Sequence, residues 1–325
     1  MCGIVGAVAE RNVVPILMEG LRRLEYRGYD SAGIAIREGD AITRVRRLGK
    51  VQELQNALDE NPVRGSTGIS HTRWATHGAP SESNAHPHMS RDDIAIVHNG
   101  IIENYEELRD DLRNKGYVFE SETDTEVVAH RIKQYLEEAG DLTTAVRKTV
   151  AELEGAYALV VMSASDPDKL VLARAGCPVV VGLGIDENFV ASDVAALLPV
   201  TRNFMFLDEG DIAVIERQDV TIFDSDGKQV ARPVKESELT ADAAERGEFR
   251  HYMQKEIHEQ AQAVARTLAE RIANGKVLDA AFGPKANVAL DEAKGIHIVA
   301  CGTSYHAGLV ARYWIEQLCR LPCMV

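Results

Sequence analysis

Residues 2–9 read CGIVGAVA, a short apolar run stopped by Glu10 and Arg11, with a thiol directly behind the initiator methionine. An apolar run of this length reads as a buried strand. Chain ends are usually frayed and solvated, and an unpaired cysteine is normally a small buried hydrophobe. A thiol at the start of such a strand therefore asks for a reason. Loss of Met1 would supply one, because Cys2 would then carry both a thiol and a free α-amine.

Working outward, Val13, Ile16, Leu17, Leu21 and Leu24 fall on one face of a helix. SAGIAIREGDAITRVRRLG reads as two strands around a Gly-Asp turn, and STGISH and DDIAIVHNGII as strands ending in polar, glycine-containing loops. Helices follow in NYEELRDDLRNKG, closed by Gly116, and in SETDTEVVAHRIKQYLEEAG, where Thr123 and Glu126 stand at capping-box spacing. A third helix, DLTTAVRKTVAELEG, precedes a second set of strands: AYALVVMSA, KLVLARA, PVVVGLG, FVASD, GDIAVIE and VTIFD. Strands, then helices, then strands predict layered α and β rather than strict βαβ alternation. The acidic, weakly apolar stretch 235–249 reads as a linker, residues 251–273 as a long helix, and GIHIVACGTSYHAGLVARYWIEQL as a buried strand, a turn and a helix. One strand and one helix do not complete a parallel sheet, so this last part reads as the start of a longer domain.

Composition narrows the function classes. The formal charge of −14 disfavours nucleic acid and anionic membrane as partners, and RVRRLG at 44–49 fits the solvated face of a strand better than a basic patch. No apolar run has the length of a membrane span, and no basic region precedes the first apolar stretch as in a signal peptide. Five cysteines, at 2, 177, 301, 319 and 323, form no disulfide framework and point to a reducing cytoplasm; Cys319 and Cys323, four residues apart, read as core packing.

Three polar clusters carry candidate chemistry: HTRWATHG (71–78), HNGIIEN (98–104) and SETDTE (121–126). A thiol of pKa about 8.5 needs a base at neutral pH, and an α-amine of pKa about 7.7–8.0 is a suitable one. Self-activation of an N-terminal nucleophile is an established chemical solution. Asn99-Gly100 is compatible with a hairpin turn, and equally with an oxyanion hole built from a side-chain amide and a glycine N–H. Arg73 has the planar fork that clamps a carboxylate, or is a surface ion-pair partner. Asp124, in the first turn of a helix, either complements its dipole or holds an ammonium. His71, His77, His86 and His88 match no metal-ligand spacing and read as hydrogen-bonded loop histidines, so neither a metal nor a cofactor is expected.

Taken together, MCGIVG, LRRLEYRGYDSAGIA, LGKV, HTRWATHG, HPH, VHNGIIEN, SETDTEV, LPVTR and LDEGDIA resemble the class II glutamine amidotransferases among the N-terminal nucleophile hydrolases. RHYMQKEI and ACGTSYHAG resemble the branch that aminates fructose 6-phosphate. The resemblance implies an α+β fold, a four-layer αββα sandwich over residues 2–240, with a linker helix and the truncated beginning of an α/β sugar-isomerase domain over 241–325. It implies Cys2 as nucleophile, its freed amine as base, and Asn99 and Gly100 as the oxyanion hole. Arg73 and Asp124 then hold the α-carboxylate and α-ammonium of L-glutamine, Thr76 and His77 complete the pocket, and Trp74 gates ammonia passage. Gly302, Thr303 and Ser304 become part of a sugar-phosphate site, and the full-length protein a homodimer. The expected activity is hydrolysis of glutamine through a γ-glutamyl thioester. The rival readings are a class II amidotransferase serving purine or asparagine synthesis, and a silent regulatory or sugar-phosphate-binding module.

Overall fold

The computed structural model describes residues 2–237, 249–269, 271–273, 276–277 and 286–325, and the chain divides into two compact units, Met1–Gly247 and Glu248–Val325. The first unit runs β1 (Gly3–Val8), α1 (Val14–Leu24), β2 (Ser31–Glu38), β3 (Ala41–Leu48), α2 (Val51–Glu60), β4 (Thr67–Arg73), β5 (His88–Ser90), β6 (Ile94–Ile102). It continues α3 (Tyr105–Asn114), α4 (Thr125–Ala139), α5 (Leu142–Val150), β7 (Gly155–Ser163), β8 (Lys169–Ala175), β9 (Val180–Leu183), β10 (Asn188–Ala191). β11 (Asn203–Phe206), β12 (Ile212–Glu216), β13 (Val220–Phe223), β14 (Gln229–Val230) and β15 (Val234–Glu236) close it.

Two antiparallel sheets result, one ordered β15-β11-β9-β10-β1-β4-β2-β3 and the other β14-β13-β12-β8-β7-β6-β5. β1 lies inside the first sheet, with Val5 opposite both Ala191 of β10 and Ser70 of β4. Its six residues are all buried because both faces are covered. Alternate residues serve different layers: Ile4 and Val8 face the second sheet, with Val97, Val160 and Leu170, while Val5 and Ala7 pack under α1 and α2. On the far side, α4 and α5 cover the second sheet through Val128, Ile132, Leu142 and Val146. Helices, sheet, sheet, helices are the four layers that the resemblance implied.

The apolar stripe of α1 buries Leu17, Leu21 and Leu24 completely, each contributing about 1.5–3 kcal/mol of transfer free energy. α5 starts at a proper cap, the Asp141 carboxylate accepting the Thr144 N–H at 3.0 Å. The expected capping box of α4 forms only in half. Thr123 Oγ1 accepts the Glu126 N–H at 3.4 Å, whereas the Glu126 carboxylate accepts from Glu120 N and Ser121 N at 2.8 and 2.7 Å. The cap position itself is Asp124, so this residue precedes the first turn rather than occupying it.

Other expectations are corrected. Asn99-Gly100 lies within β6, opposite Ala158 and Tyr157 of β7, and is no turn. The linker stretch begins in sheet, because β15 pairs with β11; its residues 238–248, and the 240/241 boundary, lie outside the described residues.

In the second unit α6 (Tyr252–Ala269) is shorter than the expected 251–273, ending before β16 (Ile272–Ala273) and β17 (Lys276–Val277). After α7 (Ala286–Asp291), β18 (Ile296–His297) pairs in parallel with β19 (Cys323–Met324), on either side of α8 (Gly302–Trp314). The strand expected to be buried here is not, Val299 being 96 % exposed. Cys319 is exposed in a π-helical turn while Cys323 is buried in β19, so the two do not pack as a helical pair.

Candidate active site

The site lies where β1, β4 and β6 reach the same end of the sandwich. Cys2 immediately precedes β1, Arg73 ends β4, and Gly100 lies near the end of β6. Cys2, Arg73, Trp74, Thr76, His77, Gly100 and Asp124 line one narrow cavity of about 20 Å3, room for about one water. Wider grooves of 340 Å3 beside Arg44–Arg47 and 540 Å3 beside Arg147 have no cysteine in their lining.

The Trp74 N–H donates to Cys2 Sγ at 3.2 Å, and Asn99 Nδ2 donates to the Cys2 carbonyl oxygen at 3.4 Å. Burial pushes the Cys2 thiol up, outweighing the Trp74 N–H and the Arg73 charge, which both favour the thiolate. The thiol is therefore protonated at neutral pH unless a base is supplied. With Met1 in place the nitrogen of Cys2 is an amide and no base.

Gly100 has φ +126°, and a Cβ there would lie 1.9 Å from the Ala156 carbonyl oxygen. Only glycine fits, for steric and conformational reasons together. Gly28, at φ +75°, is likewise fixed by a neighbour: the Trp74 ring sits where its Cβ would be, at 2.8 Å.

Arg73 is 4 % exposed and is held from behind by the carbonyl oxygens of His77 and Gly78 and by Asp30 at 3.7 Å. Its Nη1 is buried, makes no hydrogen bond, and is the atom that faces Asp30 Oδ1 at 3.7 Å. Asp124 uses Oδ2 to accept the Ile102 N–H at 2.8 Å, while Oδ1 faces His77 Nδ1 at 3.9 Å. The carboxylate thus ties the start of α4 to β6 and keeps one oxygen for a cation. Thr76 and the Trp74 ring, 54 % exposed, belong to the outer wall. Gly302, Thr303 and Ser304 fall in the second unit, exposed at the start of α8.

Several residues of this site went unread in the sequence. Asp30 accepts the Ala75 N–H at 2.5 Å and so shapes the loop that follows Arg73. His71 donates from Nε2 to Asn99 Oδ1 at 3.0 Å. His71 and His88 lie in strands β4 and β5 rather than in loops, and His86 in a loop. All three are hydrogen-bonded and buried, and burial lowers each far enough to keep the ring neutral, His71 to about 3. Among the described residues no cluster of metal-ligand type is present, and no helix is long and apolar enough to cross a membrane.

Comparison with known proteins places this geometry. A family model described as a glutamine amidotransferase domain matches residues 71–199. The glutamine–fructose-6-phosphate aminotransferase (isomerizing) of Shewanella oneidensis is 58 % identical over 325 residues, covering 100 % of this chain and 53 % of that protein. Along its whole length the chain is similar to glutamine-dependent aminotransferases of this kind. The Escherichia coli K12 protein of the same name is 56 % identical over 326 residues, again with 53 % of its length covered. The chain therefore spans about half the length of the curated relatives it matches. In fold it resembles the glutamine phosphoribosylpyrophosphate amidotransferase of B. subtilis, with a TM-score of 0.60 and 27 % identity over 69 % of this chain and 49 % of that one. Identity to the fructose-6-phosphate proteins is higher, and extends over the whole chain.

Proposed function

We propose that these 325 residues carry the glutaminase half of a glutamine-dependent amidotransferase. One observation carries the reading: the half-buried Cys2 thiol, the buried Arg73 guanidinium and the Asp124 carboxylate line one cavity. Glutamine presents a carboxylate, an ammonium and a carboxamide in matching order. Arg73 binds the α-carboxylate and Asp124 the α-ammonium, with Thr76, His77 and Trp74 completing the wall. The cavity is too small for glutamine as it stands, so binding requires a rearrangement of the wall at the exposed Trp74 and Thr76.

Once Met1 is removed, the α-amine of Cys2 takes the thiol proton. The thiolate then attacks the carboxamide carbon, and the oxyanion is met by Asn99 Nδ2 and the Gly100 N–H. The amine returns its proton to the leaving nitrogen as the C–N bond breaks, which gives ammonia and a γ-glutamyl thioester. Water attacks the thioester, releasing glutamate and restoring the thiol. No cofactor enters any step. In the whole protein the ammonia aminates fructose 6-phosphate to give glucosamine 6-phosphate, as the names of the relatives suggest, with Gly302, Thr303 and Ser304 contributing N–H groups and hydroxyls to the sugar phosphate. The same resemblance supports a cytoplasmic homodimer.

The test compares processed and Met1-retaining protein. The processed chain is expected to release glutamate and ammonia in equal amounts, to give no amino sugar when fructose 6-phosphate is added, and to be alkylated at Cys2 by a glutamine-like electrophile. Peptide mapping must separate this adduct from one on the half-buried Cys177. Retention of full activity with Met1 in place, or absence of label on Cys2, would overturn the reading.

A further inference from the structure

Behind Cys2 stands a wall of buried histidines that the proposed chemistry does not touch. His71 on β4 is fully buried, and its ring stacks on His86 at 4.2 Å between centroids and 19° between planes. His86 is fixed in turn, its Nδ1 accepting the His98 N–H of β6 at 3.3 Å. The His71 ring is thus clamped between the two sheets, and its single side-chain hydrogen bond runs from Nε2 to Asn99 Oδ1.

An asparagine amide has two nearly isosteric orientations, and only one of them presents a donor to Cys2, whose carbonyl oxygen accepts from Nδ2 at 3.4 Å. The reversed orientation would aim Oδ1 at the developing oxyanion and repel it. Because Oδ1 can only accept, the 3.0 Å contact puts the proton of His71 on Nε2 and leaves Nδ1 as a lone pair. That atom is buried and meets no hydrogen-bond partner, so Nε2 makes the one side-chain bond that orients the ring. Burial also keeps His71 neutral far below pH 7.

We propose that His71 is a positioning residue, whose Nε2–H fixes the Asn99 amide so that Nδ2 faces the reacting centre. The proposal rests on the glutaminase reading, since an oxyanion must form for the amide to matter. It assigns His71 no contact with glutamine, so substrate affinity should be spared.

The experiment measures glutamine hydrolysis by the processed chain. His71→Phe keeps an aromatic ring on His86 but loses the donor; His71→Gln places an amide N–H close to the position of Nε2. The expected result is a fall in kcat of about 10- to 100-fold for His71→Phe, less than the 10²–10³ typical for loss of an oxyanion donor itself. KM should stay within about twofold, and His71→Gln should recover most of kcat. In an Asn99→Ala background, His71→Phe should lower kcat by less than about twofold, because the group it orients is gone. Wild-type kcat in His71→Phe, an undiminished effect in the Asn99→Ala background, or His71→Gln folded but no better than His71→Phe would overturn the proposal. If His71→Phe fails to fold, the His71→Gln and Asn99→Ala/His71→Gln pair decides: near-wild-type kcat alone and no further loss in combination support the role, and additive losses refute it. Absence of turnover in the wild-type processed chain would instead overturn the glutaminase reading, and this proposal with it.

Discussion

Asn99-Gly100 and Gly302-Thr303-Ser304 are similar signals in the sequence, a glycine next to polar side chains where a strand was expected to end. The molecule treats them differently. Asn99 is 8 % exposed, paired to β7, bonded by His71 and in contact with Cys2. Gly302–Ser304 open α8 in the solvent, in a unit where only Gly308 and Cys323 are buried among the described residues. A polar motif becomes a site when a packed layer stands behind it and fixes its donors, because a preorganised donor costs no reorganisation when charge develops. At Asn99 that layer is two sheets thick; at Gly302 these residues provide none.

The comparison is broken most directly at Asn99. Asn99→Ala should cut kcat for glutamine hydrolysis by about 10²–10³, or about 2.7–4 kcal/mol of transition-state stabilisation, with KM little changed. Steady-state assays over a range of glutamine concentrations check this. A wild-type kcat would mean that Asn99 is only a strand residue and the two motifs are equivalent.

Much of this contrast was legible in the sequence, and the limits were physical. Buried strands were legible in continuous apolar runs such as CGIVGAVA and AYALVVMSA, and the order of strands and helices predicted layered α and β, whereas the four-layer arrangement came from the family resemblance. The site clusters showed themselves because polar residues such as Arg73 and Asp124 interrupt apolar patterns at element ends. The short strands β5, β11, β14 and β15 were missed, since two to four residues carry no period and exist only through pairing with a neighbour. The histidine wall was misread for the same reason. His71, His86 and His98 come from β4, a loop and β6, and nothing local distinguishes a buried stacked ring from a solvated one. Asp30 is a similar case, its partner Ala75 lying 45 residues away.

The buried wall should also set the acid limit of the first unit. His71 is held by burial at about 3, and His86, His88 and His98 are displaced downward as well. An unfolded histidine titrates near 6.5, so below that pH the unfolded chain binds protons that the folded one refuses. Stability is therefore full above about pH 6.5 and is lost as pH falls toward the folded values. For His71 alone the loss by pH 5 amounts to about 2 kcal/mol. Urea unfolding at pH 7 and pH 5 should show a smaller decline for His71→Phe than for wild type, by about this amount. Equal declines would show that His71 is not the buried neutral ring described.

The smallest effect is expected at the other motif. Thr303→Ala and Ser304→Ala remove hydroxyls that are exposed at the start of α8, where no side chain caps the helix. Exposed substitutions without such a bond usually change stability by less than about 0.5 kcal/mol. Neither variant should alter glutamine hydrolysis, because the proposed thioester chemistry uses only groups of the first unit. Inorganic phosphate should bind these residues weakly or not at all, since a helix N-terminus in water has already solvated its N–H groups and gains little by exchanging them. If either variant slowed glutaminase turnover severalfold, the exposed motif would be acting on Cys2 after all, and the contrast between a supported and an unsupported signal would fail.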